Sequence, residues 1–204
     1  MSPLSDEEQR FVDALRARDP RAFRLLVRHY QDRVHGLLFR MLRHPEEARE
    51  VAQDVFVAVF QKIDGYRGES ALSTWVFRIA VNHAKNRMKY AARRHAGRQD
   101  SFEAMASPPA VNPLAVAIPR PDEAHAQGQL TAALEAALSA LDEEPRLMVL
   151  LRDIEGQSYE DIATITGLPL GTVKSRIHRA RLRLRELLGP ALGLPRREPS
   201  PREP

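Results

Sequence analysis

The chain has 204 residues, which is enough for one medium-sized domain or two small ones. Its 31 basic and 27 acidic side chains leave a formal net charge of only +4, and it contains no cysteine. The lack of cysteine excludes disulfides, thiol catalysis and cysteine-ligated zinc, and it fits a reducing compartment. The N-terminus is too polar for a signal peptide, and no apolar run approaches the length of a membrane span. We therefore predict a cytoplasmic protein without membrane insertion.

The hydrophobic pattern predicts an all-α fold. Glycine is scarce, no segment alternates between apolar and polar residues as a strand does, and good helix formers are abundant. The N-terminal half is predicted to contain four helices, which begin after Ser5, after Asp19, at Pro45 and near Leu72.

A proline-rich stretch divides the chain. Residues 107–124 hold five prolines and show neither a helical nor a strand period, which is typical of an extended linker. We predict two small helical domains at 1–96 and 129–189, each with a small and marginally stable core. A flexible, extended linker at 97–128 joins them, and a disordered tail follows at 190–204.

The stretch from Ser158 to Leu188 has the pattern of a helix-turn-helix. Ser158 and Asp161 have the spacing of a capping box, and Gly167 permits the positive φ of a tight turn. The second helix has one apolar stripe, and residues 165–188 contain six Lys/Arg against one acid. Such a helix enters the DNA major groove with its N-terminal residues towards the bases. A charged, solvated helix in an ordinary bundle is the alternative.

Two other segments have strongly uneven charge. Residues 46–54 hold four acids and one arginine, whereas residues 78–98 hold seven Lys/Arg and no acid. The basic segment lies close to aromatic and amide side chains, a combination that binds single-stranded nucleic acid, although packing is the better interpretation of Trp75. The mixed face of the third helix, around Asp54 and Val57, is either plain solvent surface, which periodicity favours, or a docking face for a basic protein.

No catalytic or metal-binding motif is recognisable in the sequence. The seven histidines include no pair at metal-ligand spacing, and there is no phosphate-binding glycine loop and no GxSxG serine. We therefore predict no enzymatic activity, no cofactor and no metal.

Two blocks of the chain resemble bacterial sigma factors, most closely the extracytoplasmic-function (ECF) group of the sigma-70 family. Residues 51–89 contain STWVFRIAVNHAKN and resemble region 2, and residues 137–188 contain EGQSYEDIA and GTVKSRIHRAR and resemble region 4. The two blocks occur in the family's order and lack the region 3 of larger sigma factors. The resemblance implies a factor that binds core RNA polymerase, directs it to promoter DNA and helps to melt that DNA.

The resemblance also implies roles for single residues. The residues that match the polymerase-binding part of region 2 are Gln53, Asp54 and Phe56. Those that match the segment capturing the melted downstream element, with one base flipped into a loop pocket, are Tyr66, Ser73, Thr74, Asn82, Lys85 and Asn86. Those that match the helix reading the duplex upstream element are Lys174, Ser175, Arg176, His178 and Arg179. Family members often have an aromatic residue at the position of His178.

Further partners and functions stay open at this point. Sigma factors of this group are often held inactive by an anti-sigma factor, which makes such a protein a candidate partner. A conventional helix-turn-helix regulator that binds operators alone is the first rival, although the region-2-like block argues against it. An enzyme acting on nucleic acid is the second, but it would need clustered carboxylates or a nucleophile.

Overall fold

The computed structural model describes residues 5–96, 121–189 and 192, and every regular element in these residues is a helix. The α-helices are α1 (Asp6–Arg16), α2 (Pro20–Leu42), α3 (Pro45–Lys62), α4 (Leu72–Ala96), α5 (Pro121–Ser139), α6 (Glu143–Val149), α7 (Tyr159–Thr166) and α8 (Leu170–Leu188). A 3-10 turn at Ile63–Gly65 follows α3, and a π-helical turn at Leu150–Ile154 continues α6. The prediction of an all-α fold is confirmed. The predicted tail, apart from Leu192, and residues 97–120 of the predicted linker lie outside the described residues.

Capping side chains fix the starts of several helices. The Ser5 hydroxyl accepts from the Glu8 backbone at 3.2 Å, and the Glu8 carboxylate accepts from the Ser5 backbone at 3.0 Å. Ser158 and Asp161 form the same reciprocal capping box at the start of α7. Gly167 ends α7 with a φ of 72°, in the left-handed region that glycine adopts without strain. These local signals were all predicted from the sequence.

The N-terminal domain is a bundle of α2, α3 and α4, with α1 lying against α2 and the 3-10 turn. Trp75 is only 6% exposed, and its ring centroid lies 5.4 Å from that of Tyr66. The interpretation of Trp75 as a packing residue is confirmed.

The C-terminal domain packs α6 and α7 against α8, and α5 also contacts α8. The apolar stripe of α8 faces this core, where its buried members are Val173, Ile177, Ala180 and Leu184. The helix-turn-helix is therefore built as the periodicity predicts.

The start of α5 differs from the prediction. Residues 121–128 are helical, whereas an extended linker was predicted to run to residue 128. Pro121 stands at the first position of the helix, where its fixed φ suits the first turn and its missing N–H costs nothing. The last proline of the proline-rich stretch thus starts a helix.

The end of α6 departs from regular α-helical geometry. The backbone N–H of Glu155 bonds to the carbonyl of Leu150 at 2.9 Å, five residues earlier, so one extra residue is accommodated in the turn. Gly156 follows with a φ of 69°, and the Gln157 N–H bonds to the Leu151 carbonyl at 2.9 Å. This geometry places the buried side chains of Glu155 and Gln157 beside the N-terminal domain.

The two domains pack directly against each other. Helix α7 lies against α4, and α6 lies against α2. The buried apolar residues of both domains form one continuous cluster, which includes Phe77 of α4 and Ile162 of α7. The predicted arrangement was two domains joined by a flexible linker. It gave no indication that the domains pack against each other.

Arg146 stabilises the turn between α5 and α6. Its buried guanidinium donates to the carbonyls of Leu138, Ser139 and Leu141 at 3.0, 3.2 and 2.6 Å. Carbonyls at a helix C-terminus have no partner within the helix, so a cation that binds them there is favourable. Burial lowers the pKa of Arg146 from its ordinary value.

We expect Arg146→Met to lower the free energy of unfolding of the C-terminal domain by about 1–3 kcal/mol, because carbonyls are left buried without donors. Urea unfolding followed by circular dichroism measures the loss. The control is Arg49→Met, because the Arg49 side chain is 70% exposed and its change should stay within about 0.5 kcal/mol. Equal urea midpoints for the two variants would contradict the assigned role of Arg146.

Candidate nucleic-acid interface

The N-terminal half of α8 presents an exposed polar and cationic face. Lys174, Ser175, His178 and Arg179 are all exposed on the side opposite the apolar stripe. The ammonium of Lys174 lies 5.9 Å from the ring centroid of Tyr159 in α7, which orients it without burying it. Four of the residues predicted to read duplex DNA are thus brought together on one accessible surface.

Arg176 is placed differently from these four residues. It is half-buried, and its guanidinium pairs with the carboxylate of Glu144 at the start of α6. Arg181, one turn further along, pairs in the same manner with Asp153 of the π-helical turn. These two arginines connect α8 to α6 and its π-helical continuation, so DNA would have to compete with Glu144 for Arg176.

Helix α4 carries a second polar face. Asn82 and Asn86 are exposed, and Lys85 is half-buried beside them. Residues 78, 82, 85, 86 and 89 follow one another at helical spacing, so the amides and cations of α4 form one stripe. This stripe contains three of the six residues predicted to contact the melted strand.

The other three residues predicted to contact the melted DNA strand lie at the N-terminal end of α4 or in the loop before it. They are less accessible than the three in the stripe. Tyr66 is buried, and its hydroxyl donates to the carbonyl of Ser70 at 2.6 Å. Its own carbonyl accepts from Arg16 at 2.6 Å, which ties the loop before α4 to α1. Ser73 is half-buried, and Thr74 is fully buried. In this conformation the Tyr66 ring is packed inside the loop and is not accessible to a base.

Thr74 is covered by the helix-turn-helix. Its hydroxyl donates to the carboxylate of Asp161 in α7 at 2.8 Å, and it also lies 3.4 Å from the side-chain oxygen of Gln157. Asp161 simultaneously accepts from the backbone and hydroxyl of Ser158 as part of its capping box. One carboxylate therefore serves both the first turn of α7 and the contact between the domains.

An ion pair between the partly exposed Arg33 and the buried Glu155 lies beside this contact. Arg33 of α2 donates to the Glu155 carboxylate at 2.9 Å and to the Glu155 backbone carbonyl at 3.0 Å. The Glu155 side chain is 5% exposed, and the guanidinium of Arg33 lies 5.0 Å from the ring centroid of Phe77. Burial raises the pKa of the Glu155 carboxyl, and the hydrogen bond and charge of Arg33 partly offset that rise.

The face of α3 that was predicted to bind polymerase is largely accessible. Gln53 and Asp54 are exposed, and Phe56 is half-buried against the core. The large apolar residues Val57 and Phe60 are also exposed on α3. Exposed apolar groups beside an acid and an amide make this face suitable for binding a protein.

The residues that join the two domains were missed in the sequence. Glu155 and Gln157 belong to the EGQSYEDIA string, to which the resemblance gave no role between the domains, and Arg33 lies outside both resembling blocks. Arg33 and Glu155 are separated by 122 positions. The polar residues on either side of Gly156 were the available signal, and their spacing does not indicate which helix of the N-terminal domain they contact.

The described residues contain neither a metal-binding cluster nor a membrane-spanning helix. Over residues 5–96 and 121–189, no group of three or more His, Cys, Asp or Glu residues could hold a metal ion. In the same part of the chain, no helix is long and apolar enough to cross a membrane.

Comparisons with known proteins match both domains. Residues 26–94 match the family model for sigma-70 region 2, and residues 131–184 match that for sigma-70 region 4. The chain is 36% identical over 187 residues to the RNA polymerase sigma-H factor of Pseudomonas aeruginosa, covering 92% of this chain and 96% of that one. It is 35% identical over 185 residues to the ECF RNA polymerase sigma-E factor of Haemophilus influenzae, covering 91% and 97%.

Solved structures have a similar fold. CnrH, solved in complex with the cytosolic domain of CnrY, gives a TM-score of 0.63 at 23% identity over 91% of this chain and 99% of that chain. The sigma factor RpoE of Bartonella quintana, solved in complex with the anti-sigma factor NepR, gives 0.61 at 25% identity over 91% and 98%. With two family regions matched in order and relatives similar over nearly their whole length, the chain belongs to the sigma-70 family of RNA polymerase sigma factors, in its extracytoplasmic-function group.

Proposed function

We propose that this sigma factor directs core RNA polymerase to promoters through three separate surfaces. The N-terminal half of α8 reads the duplex upstream element, the polar stripe of α4 holds the melted downstream element, and the exposed face of α3 docks on the polymerase. The observation that carries the proposal is the exposed cationic face of α8, built on a helix-turn-helix whose apolar stripe is buried.

Recognition of the upstream element is assigned to Lys174, Ser175, His178 and Arg179, with Arg176 contributing once it leaves Glu144. Lysine and arginine neutralise phosphates, and arginine also binds guanine edges with two hydrogen bonds. The imidazole of His178 can donate or accept on a base edge, in a position where relatives often carry an aromatic ring.

Capture of the melted element is assigned to α4 and the loop before it. Asn82 and Asn86 supply amide groups for base edges, and Lys85 supplies charge for the backbone. Ser73, Thr74 and Tyr66 would complete the pocket for a flipped base. Unstacking that base costs a few kcal/mol, which contacts to the extruded base offset.

Docking on the polymerase is assigned to Gln53, Asp54 and Phe56. The adjoining exposed groups Val57 and Phe60 enlarge the apolar part of that face. The acidic Asp54 favours a basic surface on the partner.

We further infer that the chain acts as a cytoplasmic regulatory factor and not as a catalyst. Its relatives are initiation factors, and the polymerase supplies the chemistry of RNA synthesis. An anti-sigma factor is the natural candidate for a controlling partner, because the related RpoE of Bartonella quintana was solved with the anti-sigma factor NepR.

Run-off transcription tests the proposed function. Core polymerase with fragmented genomic DNA of the source organism is expected to give discrete new transcripts only when this protein is added, and their promoters should share two spaced elements. Tight, sequence-specific binding by the protein alone, without transcripts, would instead favour a conventional operator-binding regulator.

We expect Asp54→Arg to weaken binding to core polymerase by about tenfold, because it reverses a charge on the docking face. Competition with a labelled sigma factor for core polymerase measures the change. Asp32→Arg is the matched control, since Asp32 is also an exposed acid within a helix but lies on α2. If both variants compete equally well, α3 is not the docking face.

We expect Arg179→Ala to weaken binding of the holoenzyme to a promoter duplex by about 1–3 kcal/mol, while its affinity for core polymerase is unchanged. The control is Arg183→Ala on the same helix, because Arg183 is exposed and pairs with Glu186 at 2.9 Å. A loss of core binding in Arg179→Ala would count against the division of roles between the domains.

A further inference from the structure

Helix α2 carries a row of arginines that belongs to none of the surfaces described above. Arg21, Arg24 and Arg28 are exposed, and their spacing of three and four residues places them in one line along the helix. The exposed Gln31 and His35 continue this line, which we call the α2 stripe. The buried residues of α2 lie on a different side of the helix and face the core.

The three guanidinium groups of the α2 stripe have no ion-pair or hydrogen-bond partner among the residues that the structure describes. Both other arginines of α2 do have such partners, because Arg33 pairs with Glu155 and Arg40 pairs with Glu135. The arginines of the stripe therefore differ from the rest of their own helix in carrying charge that nothing in the described chain neutralises.

Helix stability does not account for this row of charges. Like charges three and four residues apart repel each other, and cations are unfavourable near a helix N-terminus, where Arg21 and Arg24 lie. The first turn of α2 contains no acid, and the one acid of the helix, Asp32, is not paired with Arg28, four residues earlier. A row of arginines that lowers helix stability is better explained by an anion that it binds.

A phosphate backbone fits the α2 stripe better than an acidic protein does. Protein interfaces have an apolar centre, such as Val57 and Phe60 provide on α3. The stripe itself contains no apolar residue, and the exposed Leu25 lies beside it, where it lines a groove against α1. Arg21 and Arg28 are about 10 Å apart along the helix axis, and three nucleotide steps of one DNA strand, at about 3.4 Å each, span a similar length.

We propose that the α2 stripe binds the sugar-phosphate backbone of promoter duplex DNA, as a fourth surface beside those assigned to α3, α4 and α8. The stripe neutralises phosphates and reads no base sequence, since phosphate contacts fix position without carrying sequence information. Duplex DNA has about twice the axial charge density of one strand, so it is the stronger ligand for a surface that acts through charge. The proposal rests on the function proposed above only in taking promoter DNA as the ligand.

The salt dependence of DNA binding tests the proposal. Holoenzyme assembled from core polymerase and the full-length chain is titrated with a labelled promoter duplex, mapped by run-off transcription, at several salt concentrations. The slope of the logarithm of the binding constant against the logarithm of salt concentration reports the number of neutralised phosphates. The test variant is Arg21→Gln/Arg24→Gln/Arg28→Gln, in which all three substituted positions are exposed.

Two control variants accompany the test variant. The first loses the same charge from exposed arginines on three separate helices, so that no continuous surface is removed: Arg10→Gln/Arg49→Gln/Arg183→Gln. The second replaces the three arginines of the α2 stripe by lysine, which keeps the positive charge and can still neutralise phosphates.

The glutamine variant of the stripe is expected to reduce the magnitude of the slope by about two to three, because each lost phosphate contact contributes about 0.9. Both control variants are expected to change the slope by less than about one. The loss of affinity should be equal for the promoter and for a duplex with scrambled elements, because no base contact is removed. An unchanged slope in the glutamine variant, or a lysine variant with an equal loss, would overturn the proposal.

Competition with a labelled sigma factor for core polymerase separates the proposal from its rival. The glutamine variant is expected to compete as well as the unmodified chain, and a loss of competition would show that the stripe binds an acidic protein surface instead. If the unmodified holoenzyme has no preference for a promoter, the function proposed above fails. The slopes measured on a duplex of unrelated sequence would then still decide whether the α2 stripe binds phosphates.

Discussion

The buried carboxylate of Glu155 constrains how the two domains are arranged. A group that is 5% exposed loses most of its hydration, and the donors of Arg33 replace part of it. The pair fixes α2 beside the π-helical turn, and the same turn places Gln157 next to Thr74. The position of α7 on α4 follows from these contacts, and so does the accessibility of the surface assigned to the melted strand.

Much of the fold could be predicted from the sequence because its signals are local. Ser5 with Glu8 and Ser158 with Asp161 satisfy backbone donors within one turn, so their spacing identifies a helix start without any tertiary information. The period of Val173, Ile177 and Ala180 likewise identifies the buried side of α8, and therefore its exposed cationic side. The family resemblance then assigned functions to surfaces that periodicity alone left open, such as the face of α3 around Asp54.

The contact between the domains could not be predicted, because it joins residues far apart in the chain. Arg33 and Glu155 are separated by 122 positions. Arg33 stands in no recognisable pattern, and the EGQSYEDIA string that contains Glu155 does not indicate a partner on α2. The π-helical turn that positions Glu155 depends on an i to i+5 hydrogen bond, for which the apolar spacing before Ile154 contains no signal. Thr74 was predicted to contact DNA by its place in a motif, and its burial beneath α7 is a property of the assembled domains.

The interface between the domains combines polar contacts with apolar packing. Apolar groups that separate lose their burial energy outright, but Thr74, Asp161, Gln157 and Glu155 exchange protein hydrogen bonds for water, at a small net cost each. Glu155 even recovers hydration when the domains separate, and burial raises its pKa while they are packed. Because the buried apolar cluster also spans both domains and includes Phe77 and Ile162, separating the domains would cost burial energy in addition to these exchanged hydrogen bonds.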